Sequence, residues 1–307
     1  MLKSVKSYRT LAIATLAYTL AVILWGAFVR VTGSGAGCGD HWPLCNGAVL
    51  PRSPTLETII EFTHRFTSGI LVALTAAWIF VAFRAFGKGH PARRLTIIVA
   101  VFLVIEALVG AGLVIFKMVV DNPSVARGWW TAAHLSNTFL LLGAITLATR
   151  AGWRDNAPSF RGPWARRCLT GLVLLVLAGA SGAVAALGNT LFPAINLAAG
   201  LRMDFDPASH ILVRLRVWHP VLALLAAGWA AGLSAALFSS ESRPARFWAG
   251  VVGACAALQV LAGFVNFLLL APAWMQLIHL LLGDCLWISA VMLLASRPSP
   301  EGQGRSA

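Results

Sequence analysis

Four histidines carry the chemistry this chain can do. His64, His134, His219 and His279 each stand inside a long apolar stretch, and every second stretch of the chain holds one. Burying an imidazole in lipid is costly and is kept for a partner or a function. A single one could serve as a helix-to-helix hydrogen bond, but four at a common depth on alternate stretches form a set. Paired as His64 with His134 and His219 with His279, they offer two bis-imidazole sites. Neutral imidazole is an axial ligand of haem iron, and helix bundles hold cofactors between facing helices. Structural zinc fits less well: it asks for four close nitrogen or sulfur ligands, and no cysteine neighbours these histidines. His41, His90 and His210 fall in loops or at a helix edge and are expected to be solvated.

Glu61, His64 and Arg65 share one face of a helix, since residues three and four apart are neighbours there. A carboxylate at this point could cap the helix and gain from its dipole. It could equally stand over a haem, accepting a proton or steadying positive charge. Six residues separate Cys38 from Cys45 in a Gly- and Pro-containing segment. On the oxidising side of a bacterial membrane they can form a structural disulfide or a redox-active pair. Glu106-x-x-x-Gly110 and Gln259-x-x-x-Gly263 occur in corresponding stretches of the two halves and, with the histidines, mark an internal repeat. Copies of this kind are related by a pseudo-two-fold axis along the membrane normal. Glu106 is expected to be neutral and hydrogen-bonded within the bundle.

The elements that must position these groups follow from composition. Of 307 residues, 58% are hydrophobic and only 11% charged, with a mean hydropathy of +0.78. Soluble domains carry about 25% charged residues, so lipid is the expected solvent. Windows of about 20 apolar residues give eight helical spans: Leu11–Val31, Phe62–Phe83, Leu95–Phe116, Trp129–Thr149, Cys168–Leu187, Ile211–Phe238, Phe247–Leu270 and Met275–Ala295. The first is too long for a signal-peptide core of about 7–15 residues and is expected to remain as helix 1. The fold expected is an all-α membrane protein of two pseudo-symmetric four-helix bundles, 1–150 and 151–297, with a tail at 298–307.

The net charge of +13 is placed as membrane topology places it. With the N-terminus inside, sixteen of the 24 Lys and Arg fall on the inner segments, which sets both termini in the cytoplasm. No basic face interleaved with polar residues is present, so nucleic acid is excluded as a partner. The outer segments 32–61 and 188–210 are long and suggest a lid over that surface.

These residues resemble a known family. Gly26-Ala27-Phe28-Val29-Arg30-Val31-Thr32-Gly33-Ser34-Gly35, then Cys38 and Cys45 enclosing Trp42-Pro43-Leu44, then Glu61-Phe62-Thr63-His64-Arg65, are similar to the haem A synthases, in the bacterial form with a cysteine pair in the first outer loop. The resemblance covers nearly the whole chain. It implies an oxidoreductase of the bacterial inner membrane that converts the C8 methyl of haem O to a formyl group through hydroxylated intermediates. It further implies haem O between His64 and His134, a permanent haem b between His219 and His279, Arg65 beside the cofactor, and Glu61 closest to the chemistry. Haem O synthase would supply the substrate, cytochrome oxidase or its assembly factors would take the product, and an electron donor or acceptor is required. If both His64 and His134 ligate iron, no position is left for dioxygen; either one ligand swings away, or water supplies the oxygen and Glu61 deprotonates it. Two other readings fit parts of the pattern. A bis-His electron-transfer cytochrome b would place haems at both leaflets, whereas these ligands lie on one side. A haem transporter would use Glu106 as a proton-coupling site.

Overall fold

Within lipid every backbone N–H and C=O must be satisfied inside its own segment, so apolar runs of this length fold as helices. The computed structural model describes residues 2–120, 122–154, 158–238, 240 and 242–296. Arg297, Arg305 and the tail 298–307 lie outside them. Eight helical spans among the described residues are long and apolar enough to cross a membrane: α1 (Leu2–Val31), α2 (Leu56–Ala85), α3 (Pro91–Ile115), α4 (Val125–Ala151), α5 (Gly162–Leu191), a broken span made of α7 (Ile211–Arg214) and α8 (Trp218–Leu237), α9 (Arg243–Leu268) and α10 (Ala273–Leu294). No named strand occurs among the described residues. The protein is a multi-pass membrane protein.

Capping fixes where the helices begin. The side chains of Thr55, Ser124 and Ser242 accept the N–H of Thr58, Arg127 and Ala245, satisfying donors that have no partner within the helix. Pro91, Pro163 and Pro244 sit in the first turns of α3, α5 and α9, where the missing N–H costs nothing.

Three features depart from the sequence reading. Helix α1 starts at Leu2 rather than Leu11, because a helix continues past the apolar window into the polar zone that Lys6 and Arg9 occupy. The segment 192–210, expected as loop, contains α6 (Leu197–Phe205), whose N-cap Asn196 accepts the Ala199 N–H at 2.8 Å. The sixth span tightens into a 3₁₀ turn at Leu215–Val217. Pro220 explains the break: it has no N–H for the Arg216 carbonyl, and its ring crowds that carbonyl.

Helices α1–α4 form one half and α5–α10 the other. Helix α4 packs on α3 and α1 in its own half and on α5 and α10 across the boundary, while α1 also touches α10. Two apolar cores result. One centres on Tyr8, Trp78, Val99 and Ile145; the other on Leu142, Ala230, Val252, Trp287 and Leu293. At the boundary Phe139 of α4 stacks on Trp287 of α10, with ring centres 5.0 Å apart and planes 11° from parallel. Large apolar side chains such as Phe66, Phe80, Leu108, Leu224 and Phe264 are exposed along the spans, as lipid-facing surface requires.

Candidate functional site

All four histidines lie six to nine residues into their spans, counting the sixth from Ile211, at the end of the bundle where segments 32–55 and 192–210 sit. Each is seated on a glycine of the preceding span. A Cβ at Gly26 would stand 2.9 Å from His64 Cε1, at Gly182 2.8 Å from His219 Cε1, and at Gly263 3.0 Å from His279 Cε1. At Gly110 it would lie 3.7 Å from His134 Cε1. Three of the four seats therefore tolerate no side chain without moving an imidazole. The same glycine-on-histidine contact, made four times between an odd and an even span, is the structural form of the repeat.

The structure brings His219 and His279 together, with ring centres 6.1 Å apart and planes at 87°. Two metal–imidazole bonds of about 2 Å each, plus the half-width of each ring, span close to that separation. His219 Nδ1 lies 3.0 Å from the Ala178 carbonyl. A carbonyl only accepts, so Nδ1 carries the proton and Nε2 keeps its lone pair, the arrangement a ligating histidine uses. Gln259 Nε2 stands 3.3 Å from His279 Nε2. In the other half His64 sits against Gly26 and His134 against Gly110. His134 Nδ1 lies 3.4 Å from Glu106 Oε1, and the Glu106 carboxylate accepts hydrogen bonds from Asn137 Nδ2 at 2.6 Å and from Thr138 Oγ1. Glu106 is thus hydrogen-bonded within the bundle. No cluster of three or more His, Cys, Asp or Glu able to hold a metal ion exists among the described residues. A pair of imidazoles with no further metal-ligating side chain beside it would suit haem, with His219 and His279 as the residues to hold its iron.

Glu61 is buried, 3% exposed, and both oxygens are engaged. Oε2 accepts the Cys38 N–H at 2.8 Å, and Oε1 accepts from Arg65 Nε at 3.1 Å and Nη2 at 2.5 Å. The capping role belongs to Thr55, not to Glu61. Arg65 Nη1 donates onward to the carbonyls of His41 and Leu44, each at 2.5 Å. Those carbonyls lie inside the ring closed by the Cys38–Cys45 disulfide. Thr58 Oγ1 donates to the Gly37 carbonyl at 2.7 Å, and a Cβ at Gly37 would meet Glu57 backbone at 2.4 Å. The first long segment is therefore strapped onto the opening turns of α2, directly above His64. At the rim, a hydrogen bond from Lys117 holds the exposed Asp40 carboxyl below the usual carboxylate range.

Residues 9–291 match the family model described as cytochrome oxidase assembly protein, COX15-CtaA. The chain belongs to that family. It is 44% identical over 290 residues to a Thermus thermophilus protein named protoheme IX farnesyltransferase, covering 92% of this chain and 47% of that one. Proteins named heme A synthase match shorter stretches. One from Shouchella clausii is 35% identical over 176 residues, 56% of this chain and 54% of its own length. One from Bacillus licheniformis is 44% identical over 114 residues, 36% of each. The chain spans about half the length of the curated relatives it matches.

The chain also carries site features that the sequence did not disclose. Arg216, one turn before His219, donates Nε to Asp204 Oδ1 at 2.7 Å and Nη1 to Asn189 Oδ1 at 2.8 Å, which ties α6 over the second pair. Its signal was the offset alone, because Arg216 precedes His219 by the same three residues that separate Glu61 from His64. Asp284 of α10 is fully buried, and neither carboxyl oxygen has a hydrogen-bond partner among the described residues. His90 and His210 are not simply solvated. Each is an N-cap whose Nδ1 accepts a backbone N–H, from Ala92 and Leu212, and each stacks on a phenylalanine. His41 is exposed, beside Asp40.

Proposed function

We propose that this protein is a haem A synthase of the bacterial inner membrane, with both termini cytoplasmic and the four histidines near the outer surface. It oxidises the C8 methyl of haem O to a formyl group; two successive hydroxylations give a hydrated aldehyde, which loses water. The observation that carries this reading is the fourfold glycine-seated histidine set at one end of the bundle, with His219 and His279 brought ring to ring. The half formed by 1–150 takes the substrate between His64 and His134, and the half formed by 151–297 holds haem b between His219 and His279. Haem b, when bound, supplies a one-electron redox centre beside the substrate half.

The protein's own groups divide the remaining work. His219 Nδ1–H on the Ala178 carbonyl fixes one ring, and the Gly182 and Gly263 seats fix both. Arg65 keeps Glu61 paired and closes the first outer segment above His64, limiting water there. Glu61 is the carboxylate nearest the substrate imidazole on α2, placed to steady developing positive charge or to accept a proton from water. The electrons released pass to an acceptor outside the chain. Haem O synthase is the supplier of substrate; a relative named for farnesylation of protohaem, of which this chain matches under half, supports that link. Cytochrome oxidase or its assembly factors take the product, as the family name indicates.

Haem extraction with mass spectrometry tests the reading. Wild type yields haem A and haem b. Glu61→Ala retains haem b and accumulates haem O or a hydroxylated intermediate. Normal haem A output from Glu61→Ala removes that residue from the mechanism, and a wild-type preparation free of haem removes the function.

A further inference from the structure

The glycine–histidine register lets any residue of one half be matched to its counterpart in the other, and one contact between the halves has no counterpart. Arg30 stands four residues after Gly26, in the last turn of α1. Its guanidinium reaches across the boundary. Nη1 donates to Thr190 Oγ1 of α5 at 3.1 Å, and Nη2 donates to Gln276 Oε1 of α10 at 2.8 Å. Gln276 in turn donates its Nε2 to the Ala271 carbonyl at 2.6 Å, which fixes the short connection that opens α10. Three residues later on the same face of α10 comes His279. By the same register the residue opposite Arg30 is Ala186, four after Gly182, and the one opposite Gln276 is Thr131. Thr131 bonds only its own helix, through the Arg127 carbonyl. The tie thus runs one way, from the first half to the helix bearing the second pair.

Arg30 makes no ion pair among the described residues. A half-buried guanidinium held by neutral acceptors is placed by direction, not by charge. Its planar fork suits two acceptors on different helices, and a lysine ammonium would not reproduce that. We propose that Arg30 is a positioning residue through which the first half sets the angle of His279, and so the geometry of the His219–His279 pair. The contact stands on the structure alone; its effect on a bound haem rests on the function proposed above.

A double-mutant cycle on the purified full-length protein tests it, with Arg30→Met, Gln276→Leu and the pair. Thermal unfolding reads the contact, and electron paramagnetic resonance of the ferric low-spin haem, which responds to the angle between imidazole planes, reads the consequence. Each single variant should lower Tm by about 2–4 °C and shift the low-spin signal. The pair should do no more than the larger single change. Arg30→Lys, a milder variant, should fold but fail to restore the signal. Additive Tm losses, or an unmoved signal in Arg30→Met, overturn the proposal. A wild type lacking low-spin haem would defeat the proposed function instead, and the Tm cycle would still accept or reject the contact.

Discussion

Three residues before His64 stands a carboxylate, Glu61; three before His219 stands a guanidinium, Arg216. Both are buried and both anchor a segment over the imidazole they precede. Glu61 is paired with Arg65 and takes the Cys38 N–H, while Arg216 is paired with Asp204 of α6. The duplicated bundle has kept the strap and reversed its polarity. The odd spans differ in the same sense, with Glu106 against His134 in the first half and the uncharged Gln259 against His279 in the second. A carboxylate therefore stands three residues before the first histidine of the first half and against its second, and neither has a counterpart at the matching position of the other half. What the halves share is steric, the glycine seats; what separates them is electrostatic.

The shared part gives the largest predicted effect. Gly182→Val adds atoms where a Cβ would already stand 2.8 Å from His219. Displacing an orienting contact of a ligand costs about 10–100-fold in affinity. We expect haem b retained on purification to fall by that factor, read from the haem-to-protein ratio. Gly110→Ala, whose Cβ would have 3.7 Å of room against His134, should leave haem content nearly unchanged. Equal losses in the two variants would show that the seats do not position the rings.

The reversed straps come next. Arg216→Met leaves the half-buried Asp204 without its partner, and Glu61→Leu does the same to the half-buried Arg65. Breaking a fully buried pair from one side costs about 3–5 kcal/mol, and these pairs, each with one half-buried member, less. Both should lower thermal stability in detergent by similar amounts, but only Glu61→Leu should also halt conversion of haem O. Loss of conversion in both, with haem b retained, would make the strap and not the carboxylate the common requirement.

Much of this arrangement is legible in the sequence, and what is not legible is long-range. Eight spans follow from apolar length because lipid leaves the backbone no alternative. The pairing of His219 with His279 follows from their common depth on alternate spans. Spacing brought Cys38 and Cys45 within reach, yet left a structural bond and a redox pair equally open. The Arg216–Asp204 pair depends on α6, a helix inside what composition presents as a loop. Gly110 and Gly263 were visible as a repeat, but their purpose, contact with an imidazole on another helix, is a tertiary fact. Glu61 reads as a cap from its place near a helix start, and only the fold shows it bonded to a loop 23 residues away in the chain.

The disulfide closes the strap in the first half only, which predicts a middle-sized effect. Removing a bond that closes so short a loop costs about 2–3 kcal/mol in the chain-entropy model. Cys38→Ala with Cys45→Ala should lower Tm accordingly, while the Glu61–Arg65 clamp still holds the segment and haem O conversion persists. Complete loss of conversion with Tm unchanged would instead assign the pair a redox task.

The smallest effect concerns the one clear asymmetry inside the core. Asp284 follows His279 by the five residues that separate Phe139 from His134, so an apolar ring in one half is matched by a carboxyl in the other. Phe139 is absorbed by its stack on Trp287, whereas the Asp284 oxygens find no hydrogen-bond partner among the described residues. An unsatisfied buried polar group costs about 1–3 kcal/mol. Asp284→Leu, which keeps the branched skeleton and is free of that cost, should therefore raise Tm by a few degrees with haem b retained, measured by thermal unfolding beside the haem-to-protein ratio. A lower Tm would mean that the two halves differ here for a reason, and that the carboxyl is held by something packing alone does not provide.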